Sequence, residues 1–294
     1  MAFKISVVIP AFDRLASLRS VLQSCARACE HAELVVVDDK SPLSVGIMNL
    51  ASEYNAIYVR NESSRSEREP ALCRNLGLDA SSGDMVVFND ADVLVAPNAL
   101  DLHAKYHSEN RNVVVDAQIW SIYDGQPTID AIREFTLGEL KNHAHRVVQD
   151  VVPWSTIDTP QPSDNWWAFL SAQCSFKRSD LLTVGRWDQE YSGWGVEDND
   201  IGYRIHKHAL RILYASDILC FHIDHTLSPD EYREKCRSAL RNLKRMCKKY
   251  PEVLRDERVR RRLEELEALA AGVSSVVRQG TAGGGPIKGS ATND

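Results

Sequence analysis

The run DMVVFNDADV, Asp84–Val93, decides how the chain is read. Met85, Val86, Val87 and Phe88 form an apolar stretch with no polar break. Such a stretch suits a strand covered on both faces, as in a parallel sheet. It then ends abruptly in Asn89-Asp90-Ala91-Asp92. Acids at a strand end suit the rim of an open α/β sheet, where ligands bind outside the carboxyl ends of the strands. Two other runs share the pattern. ISVVIPAF, residues 5–12, leads into Asp13, and ELVVVDDKS, residues 33–41, ends its apolar part in Asp38-Asp39.

Between and beyond these runs the period changes. Leu15, Leu18, Val21, Leu22 and Cys25 recur at helical spacing, and further helices are expected over 43–54, 71–81 and 98–108. IYVR (57–60), NVVVDAQIW (112–120), RILYAS (211–216) and ILCFHIDHT (218–226) read as strands, and SDLLTVGRW (179–187) as a helix closing on Gly185. NESSRSEREP (61–70) reads as a mobile charged loop, and 121–165 as irregular. The alternation predicts an α/β fold, a mostly parallel sheet flanked by helices. Tyr232, Cys236, Leu240, Leu243, Cys247 and Tyr250 then recur at helical spacing, and a second helix is expected over 252–271. This C-terminal hairpin is expected to pack on the main domain, with a peripheral membrane or self-association role as the alternative. The expected division is 1–226 for the main domain, 227–274 for the helical extension and 275–294 for a disordered tail rich in small residues. GTAGGGPIKG in that tail lacks the Gly-Lys-Ser/Thr order of a phosphate loop.

Composition narrows the classes. The 294 residues carry a net charge of −6, which argues against a general nucleic-acid binder. Seven cysteines without a CxxC pair argue against a disulfide framework or zinc cage and for a reducing, cytoplasmic setting. No apolar run approaches the length of a membrane span. MAFKISVVIPAF at the start reads as a first strand rather than a signal peptide.

GWGVEDNDIGYR, Gly193–Arg204, is harder to explain as structure alone. Gly193 and Gly195 allow the backbone to approach a ligand closely. Trp194 offers a flat apolar face to a sugar ring. Glu197 and Asp198 open a helix, where the dipole favours negative charge while the neighbouring acids oppose it. That balance leaves a carboxylate able to accept a proton near neutral pH. An ordinary capped helix does not require three acids behind a Trp-Gly pair. Asp90-Ala91-Asp92 is a candidate site for Mg²⁺ or Mn²⁺, which take carboxylate and phosphate oxygens; a solvated turn is the plainer reading. Asp38 and Asp39 suit a helix cap, and Asp39 can cap while presenting an oxygen to a nucleobase imide or a ribose hydroxyl.

In their order, VVIPAFDR, LVVVDDKS, CRNLGLDASSGDMVVFNDADV and GWGVEDNDIGYR resemble a family 2-type glycosyltransferase of the GT-A fold, a Rossmann-like α/β architecture, over residues 4–225. The resemblance implies a hexosyltransferase-type enzyme that moves a sugar from a nucleoside diphosphate donor, expected to be UDP-linked, to an acceptor hydroxyl. It implies Mn²⁺ or Mg²⁺ as cofactor and inversion at the anomeric carbon. Carried over, Pro10, Ala11 and Asp13 line the nucleotide pocket, Asp39 contacts uracil, and Arg74, Asp90 and Ala91 lie near the donor. Asp92 is the more direct metal ligand, with Asp90, and His222 completes the set, His225 being the alternative. Asp198 is the general base and Glu197 holds an acceptor hydroxyl or orients the base. Trp194 and Gly195 join Glu197 on the acceptor side. Asp13 replaces the commoner Asn or Glu, and Cys73 a small Ala. Trp166, Trp167 and Trp187 are further acceptor candidates, with core packing as the alternative for each. The segment 115–170 is expected to line the acceptor side. A retaining transferase on the same scaffold is the runner-up. A sugar-nucleotide nucleotidyltransferase is less favoured, because no Gly-rich basic loop follows IPAFDR, and paired acids at both motifs argue against a non-catalytic relative. The sequence names neither the sugar nor the acceptor.

Overall fold

The computed structural model describes residues 3–122, 145–146, 161–223, 225 and 227–272. Strand β1 (Ile5–Ala11), helix α1 (Leu15–Ala28), β2 (Glu33–Asp38), α2 (Ser44–Glu53), β3 (Ile57–Arg60), α3 (Pro70–Ala80) and β4 (Met85–Asn89) alternate as the sequence pattern requires. Then follow β5 (Val93–Val95), α4 (Ala99–Glu109), β6 (Val113–Ile122), β7 (His145–Arg146), β8 (Gln161–Ser163) and β9 (Gln173–Lys177). Helices α5 (Arg178–Val184) and α6 (Glu197–Lys207) precede β10 (Arg211–Ile223).

The sheet runs β3-β2-β1-β4-β9-β6-β10-β5, with β7 paired to β6 and β8 to β10. β3, β2, β1 and β4 are parallel throughout, as are β6 and β10. β9 joins the two parallel blocks by running antiparallel to both β4 and β6. β9 itself was not foreseen, because QCSFK is short and alternates polar with apolar residues. Along β1, Val7 and Ile9 enter one core with α1, α2 and α4, while Val8 enters the other with α3, α5 and α6. Period-two alternation thus supplies both helical layers from one strand.

Two strand boundaries differ from the expectation, and both shape the site. The run 84–93 is not one strand: β4 ends at Asn89 and β5 leaves at Val93 to pair antiparallel with β10. Asn89 Nδ2 donates to the carbonyls of Asp90 and Val93, both at 2.9 Å, and so fixes Asp90-Ala91-Asp92 as a tight turn. Conversely, 211–223 is a single strand whose register shifts between Ala215 and Leu219. After the shift His222 lies opposite Val93 and Ser121, beside that turn. The charged segment 61–70 is also tied down: Asn61 and Glu69 are buried, and Lys40 Nζ lies 2.7 Å from Glu69 Oε2.

The C-terminal hairpin is α7 (Pro229–Lys249), a 3-10 turn (Pro251–Arg255) and α8 (Glu257–Ala270). Ser228 and Glu231 form a capping box on α7, and Asp256 caps α8, which is why the second helix begins later than its apolar pattern. Cys236, Ala239, Leu243, Met246, Val253, Val259 and Leu266 share a third core with Trp166, Trp167, Tyr191, Val196 and Tyr203. The tail 275–294 and most of 121–165 fall outside the described residues. Among the described residues, no helix is long and apolar enough to cross a membrane, and all seven cysteines are unpaired thiols.

Candidate active site

The carboxyl ends of β1, β2 and β4, the end of β10 and the start of α6 converge on a cavity of about 580 Å³. Its centre is an ion-pair bridge between distant segments. Arg74 on α3 places Nη2 3.1 Å from Asp90 Oδ1 and Nη1 3.4 Å from Glu197 Oε1. Its side chain is only 5% exposed, and its Cζ lies 5.8 Å from the ring centroid of Trp187. One guanidinium therefore fixes the aspartate turn against α6.

The two acids of the turn are in different electrostatic states. Burial lifts Asp90 to about 6 against the pull of Arg74, and the charge of Asp92 adds to the lift. For Asp92 burial is outweighed: the His225 imidazole beside it and the charges of His222 and Arg14 hold its carboxyl down at about 2. Glu197 is raised to about 7 by burial and by neighbouring Asp198, with Arg74 opposing. Asp92 is thus the acid of this set that stays ionised across the neutral range, as a cation ligand must.

His222 Nε2 lies 3.7 Å from Asp92 Oδ1 and His225 Nε2 lies 3.4 Å from Oδ2. The buried Nε2 of His225 makes no hydrogen bond among the described residues. A carboxylate with imidazole nitrogens facing it suits Mn²⁺, and less well Mg²⁺, provided that phosphate oxygens or water complete the sphere. Such completion is required, because no cluster of three or more His, Cys, Asp or Glu poised to hold a metal exists among the described residues. Arg14 also pairs with Asp92. It lines the cavity with Phe12, whereas Asp13, exposed at φ 49°, does not.

At the ends of β1 and β2, Pro10, Ala11 and Asp39 line the cavity. Asp39 Oδ2 accepts from the Glu69 N–H at 2.7 Å and Oδ1 from Asn61 Nδ2 at 2.8 Å. Neither acid caps α2, whose N-cap Leu43 has no side-chain bond; Asp38 Oδ1 accepts from the Ser41 N–H at 2.7 Å in the turn that precedes it. Asp38 points away from the cavity, towards the hydroxyl of Tyr58 at 2.8 Å, and so leaves Asp39 to face it.

The Gly-Trp-Gly turn is shaped by α7. Gly193 and Gly195 have φ of 75° and 85°, and a Cβ on Gly193 would lie 2.1 Å from Ser238 Oγ. That hydroxyl accepts from the Trp194 N–H at 2.8 Å, and Asn242 Nδ2 donates to the carbonyls of Ser192 and Gly195 at 3.0 and 2.8 Å. The close approach foreseen for a ligand is here made by a helix of the chain itself. Val196 follows at φ 77°, a strained setting for a β-branched residue that costs about 1–3 kcal/mol and is typical of functional sites.

Past it, Glu197 and Asp198 line the cavity, and Ser171 Oγ donates to Asp198 Oδ1. Asp200, the third acid, is turned inward, with Arg204 Nε at 2.7 Å and Lys249 Nζ at 2.9 Å, and is structural. The tryptophans also divide. Trp187 is core, with its ring centroid 4.2 Å from that of Phe88. Trp166 is buried in the third core, while Trp167 and Trp194 line the cavity.

Sequence reasoning missed Arg14, Ser171, Lys235 and Asp116. Asp116 is a buried acid on β6 whose carboxyl burial and nearby Asp198 push well up, despite the Leu170 N–H. The single charged residue in VVVDAQ was its only signal.

The family model described as Glycosyl transferase family 2 matches residues 6–162, and one described as the N-terminal domain of galactosyltransferase matches 153–226. The uncharacterized glycosyltransferase YfnE of Bacillus subtilis is 26% identical over 289 residues, covering 84% of this chain and 70% of that protein. Validoxylamine A glucosyltransferase of Streptomyces hygroscopicus subsp. jinggangensis is 25% identical, covering 85% of this chain and 62% of its own length. Among solved structures, S. aureus TarS 1–349 in complex with UDP aligns at TM-score 0.57 and 18% identity, over 82% of this chain and 65% of that one. GalNAc-T7 with UDP, GalNAc and Mn²⁺ aligns at TM-score 0.57 and 19% identity, over 76% and 44%. The fold is therefore the GT-A arrangement, and with a family match over more than half its length this chain belongs to glycosyl transferase family 2 and is a glycosyltransferase.

Proposed function

We propose that the protein transfers a sugar from a UDP-sugar to an acceptor hydroxyl with inversion at the anomeric carbon, Asp198 serving as general base. The observation that carries this reading is the convergence of Asp39, Asp92, Glu197 and Asp198 on one cavity from three separate segments. It is supported by neighbours of the same fold that were solved with UDP, one of them also with Mn²⁺. Asp39 takes the uracil edge beside Pro10 and Ala11. Asp92, with Asp90 and with His222 or His225, would hold Mn²⁺ or Mg²⁺, which when bound supplies Lewis-acid neutralisation of the departing diphosphate. Arg74 keeps Asp90 and Glu197 at fixed separation. Trp194 and Gly195 border the acceptor, and Glu197 orients its hydroxyl. Asp198, aimed by Ser171, accepts the proton as the oxygen attacks. We assign the chemistry to residues 1–226 and the helical extension to 227–274. A cytoplasmic setting accords with seven unpaired thiols.

A screen of UDP- and GDP-sugars for nucleotide diphosphate release, with and without MnCl₂, tests the donor. Release of UDP supports transfer, whereas release of pyrophosphate would point to nucleotidyl transfer. NMR of the product anomer separates inversion from retention.

A further inference from the structure

The same cavity is walled on its far side by the C-terminal hairpin, and that wall is basic. Lys235 from α7 and Arg258, Arg261 and Arg262 from α8 all line it. Arg258 is committed to structure, with Nε 2.9 Å from Asp256 Oδ1 and its Cζ 5.9 Å from the Trp166 ring centroid. The others are not balanced. Arg261 and Arg262 share one carboxylate, with Nε 2.9 Å from Glu265 Oε1 and Nη1 3.4 Å from Glu265 Oε2. Lys235 makes no ion pair among the described residues; its Nζ stands 5.4 Å from the ring centroid of Trp194. Burial and the nearby cations Arg68 and Arg14 push that ammonium down.

Elsewhere on the hairpin, Lys244 pairs with Glu267 at 2.8 Å, Lys249 with Asp188 at 2.7 Å and Arg245 with Glu190 at 3.3 Å, while Lys248, Arg255 and Arg260 stand exposed at the surface. On the cavity wall, by contrast, the excess of positive charge faces the cavity. A neutral sugar has no use for three crowded cations, whereas planar guanidinium groups fit the paired oxygens of phosphate and carboxylate.

Resting on the transferase reading above, we propose that the acceptor carries an anionic group, a phosphate or a carboxylate, bound by Arg261, Arg262 and Lys235 while its hydroxyl is directed to Asp198. Glu265 holds the two arginines in place and lowers their pull on an anion until one binds.

The test is calorimetry on the full chain saturated with UDP and MnCl₂, titrated separately with glucose 6-phosphate, glucuronate and glucose. A charged sugar binds about tenfold or more tighter than glucose, as a charge-assisted contact would give. The tighter of the two charged sugars names the group. The double variant R261Q/R262Q removes the advantage and leaves UDP affinity within about twofold, while E265Q tightens the charged sugar severalfold without changing glucose. Equal affinity for charged and neutral sugars overturns the inference. So does a double variant that keeps the preference, or one that loses UDP affinity instead, since the arginines would then serve the donor. Failure of the native chain to bind UDP would sink the donor reading and this inference together; normal UDP binding without a charge preference sinks the inference alone.

Discussion

Arg74 is the residue on which the site geometry rests, because it is the buried counter-charge to both Asp90 and Glu197. Arg74→Ala leaves the buried carboxylate of Glu197 and the part-buried one of Asp90 without this partner and is expected to cost about 3–5 kcal/mol of stability in urea denaturation. Arg74→Lys recovers less than half of that, since a single ammonium does not span the two acids. Glu197 adds a pH signature. Its folded pKa of about 7 lies above its ordinary value of 4.5, so the folded state holds the proton longer. Its contribution is complete below about pH 4.5 and is lost as pH rises through 7, by up to about 3 kcal/mol. Glu197→Gln should flatten the fall in stability over that range; an unchanged slope would show that another group causes it. The acids at 90, 92, 197 and 198 were legible because clustered carboxylates stand out after apolar runs. Arg14 was not, since a lone cation in a turn has no such context, and the left-handed backbone at Asp13 turns that side chain out and presents Arg14 in its place.

At the scale of elements, the clamp of α7 on the Gly-Trp-Gly turn makes the hairpin part of the site. Gly193→Ala meets both a positive φ and Ser238 Oγ, and is expected to lower stability by about 1–3 kcal/mol by thermal or urea unfolding. Removal of residues 227–294 uncovers the third core, including Trp166 and Trp167, and should abolish the cooperative unfolding transition; a truncated chain that still unfolds cooperatively would show that the hairpin is dispensable. The hairpin itself was readable from the spacing of Tyr232, Cys236, Leu243 and Cys247. Its packing on the main domain was expected too, but its clamp on the Gly-Trp-Gly turn was not legible. The contacts that clamp the turn come from Ser238 and Asn242, polar residues that carry no apolar signal. The split of 84–93 into β4 and β5 was hidden for a related reason, because Val93, Leu94 and Val95 continue the apolar pattern while the chain changes partner.

Over the whole molecule, acids gather at the sheet rim around Arg14 and Arg74, further cations line the hairpin wall, and a neutral polar cluster sits in the core between α4 and β9. There His103 contacts Ser175 Oγ at 2.8 Å and Gln173 Oε1 at 2.7 Å, and His107 contacts Ser175 Oγ at 2.8 Å. Burial lowers His103 from 6.5 to about 4 and His107 to about 3. Both folded values lie below the unfolded one, so this stability is present above pH 6.5 and is lost as pH falls towards 4. His103→Gln should shift the acid midpoint of unfolding downwards by circular dichroism, and a midpoint that does not move would place the acid limit elsewhere. The α/β alternation was legible because buried strands and amphipathic helices differ in period. The balance of charge across the cavity was not, since it arises only when segments far apart in the chain are brought together. That balance defines the central claim, that Asp198 activates the acceptor while the diphosphate departs from the Asp92 side. The most direct test is UDP release by Asp198→Asn, with UDP affinity measured on the same sample. We predict turnover reduced about 10²–10⁴-fold with affinity unchanged. Turnover within about tenfold of the native chain would contradict the assignment.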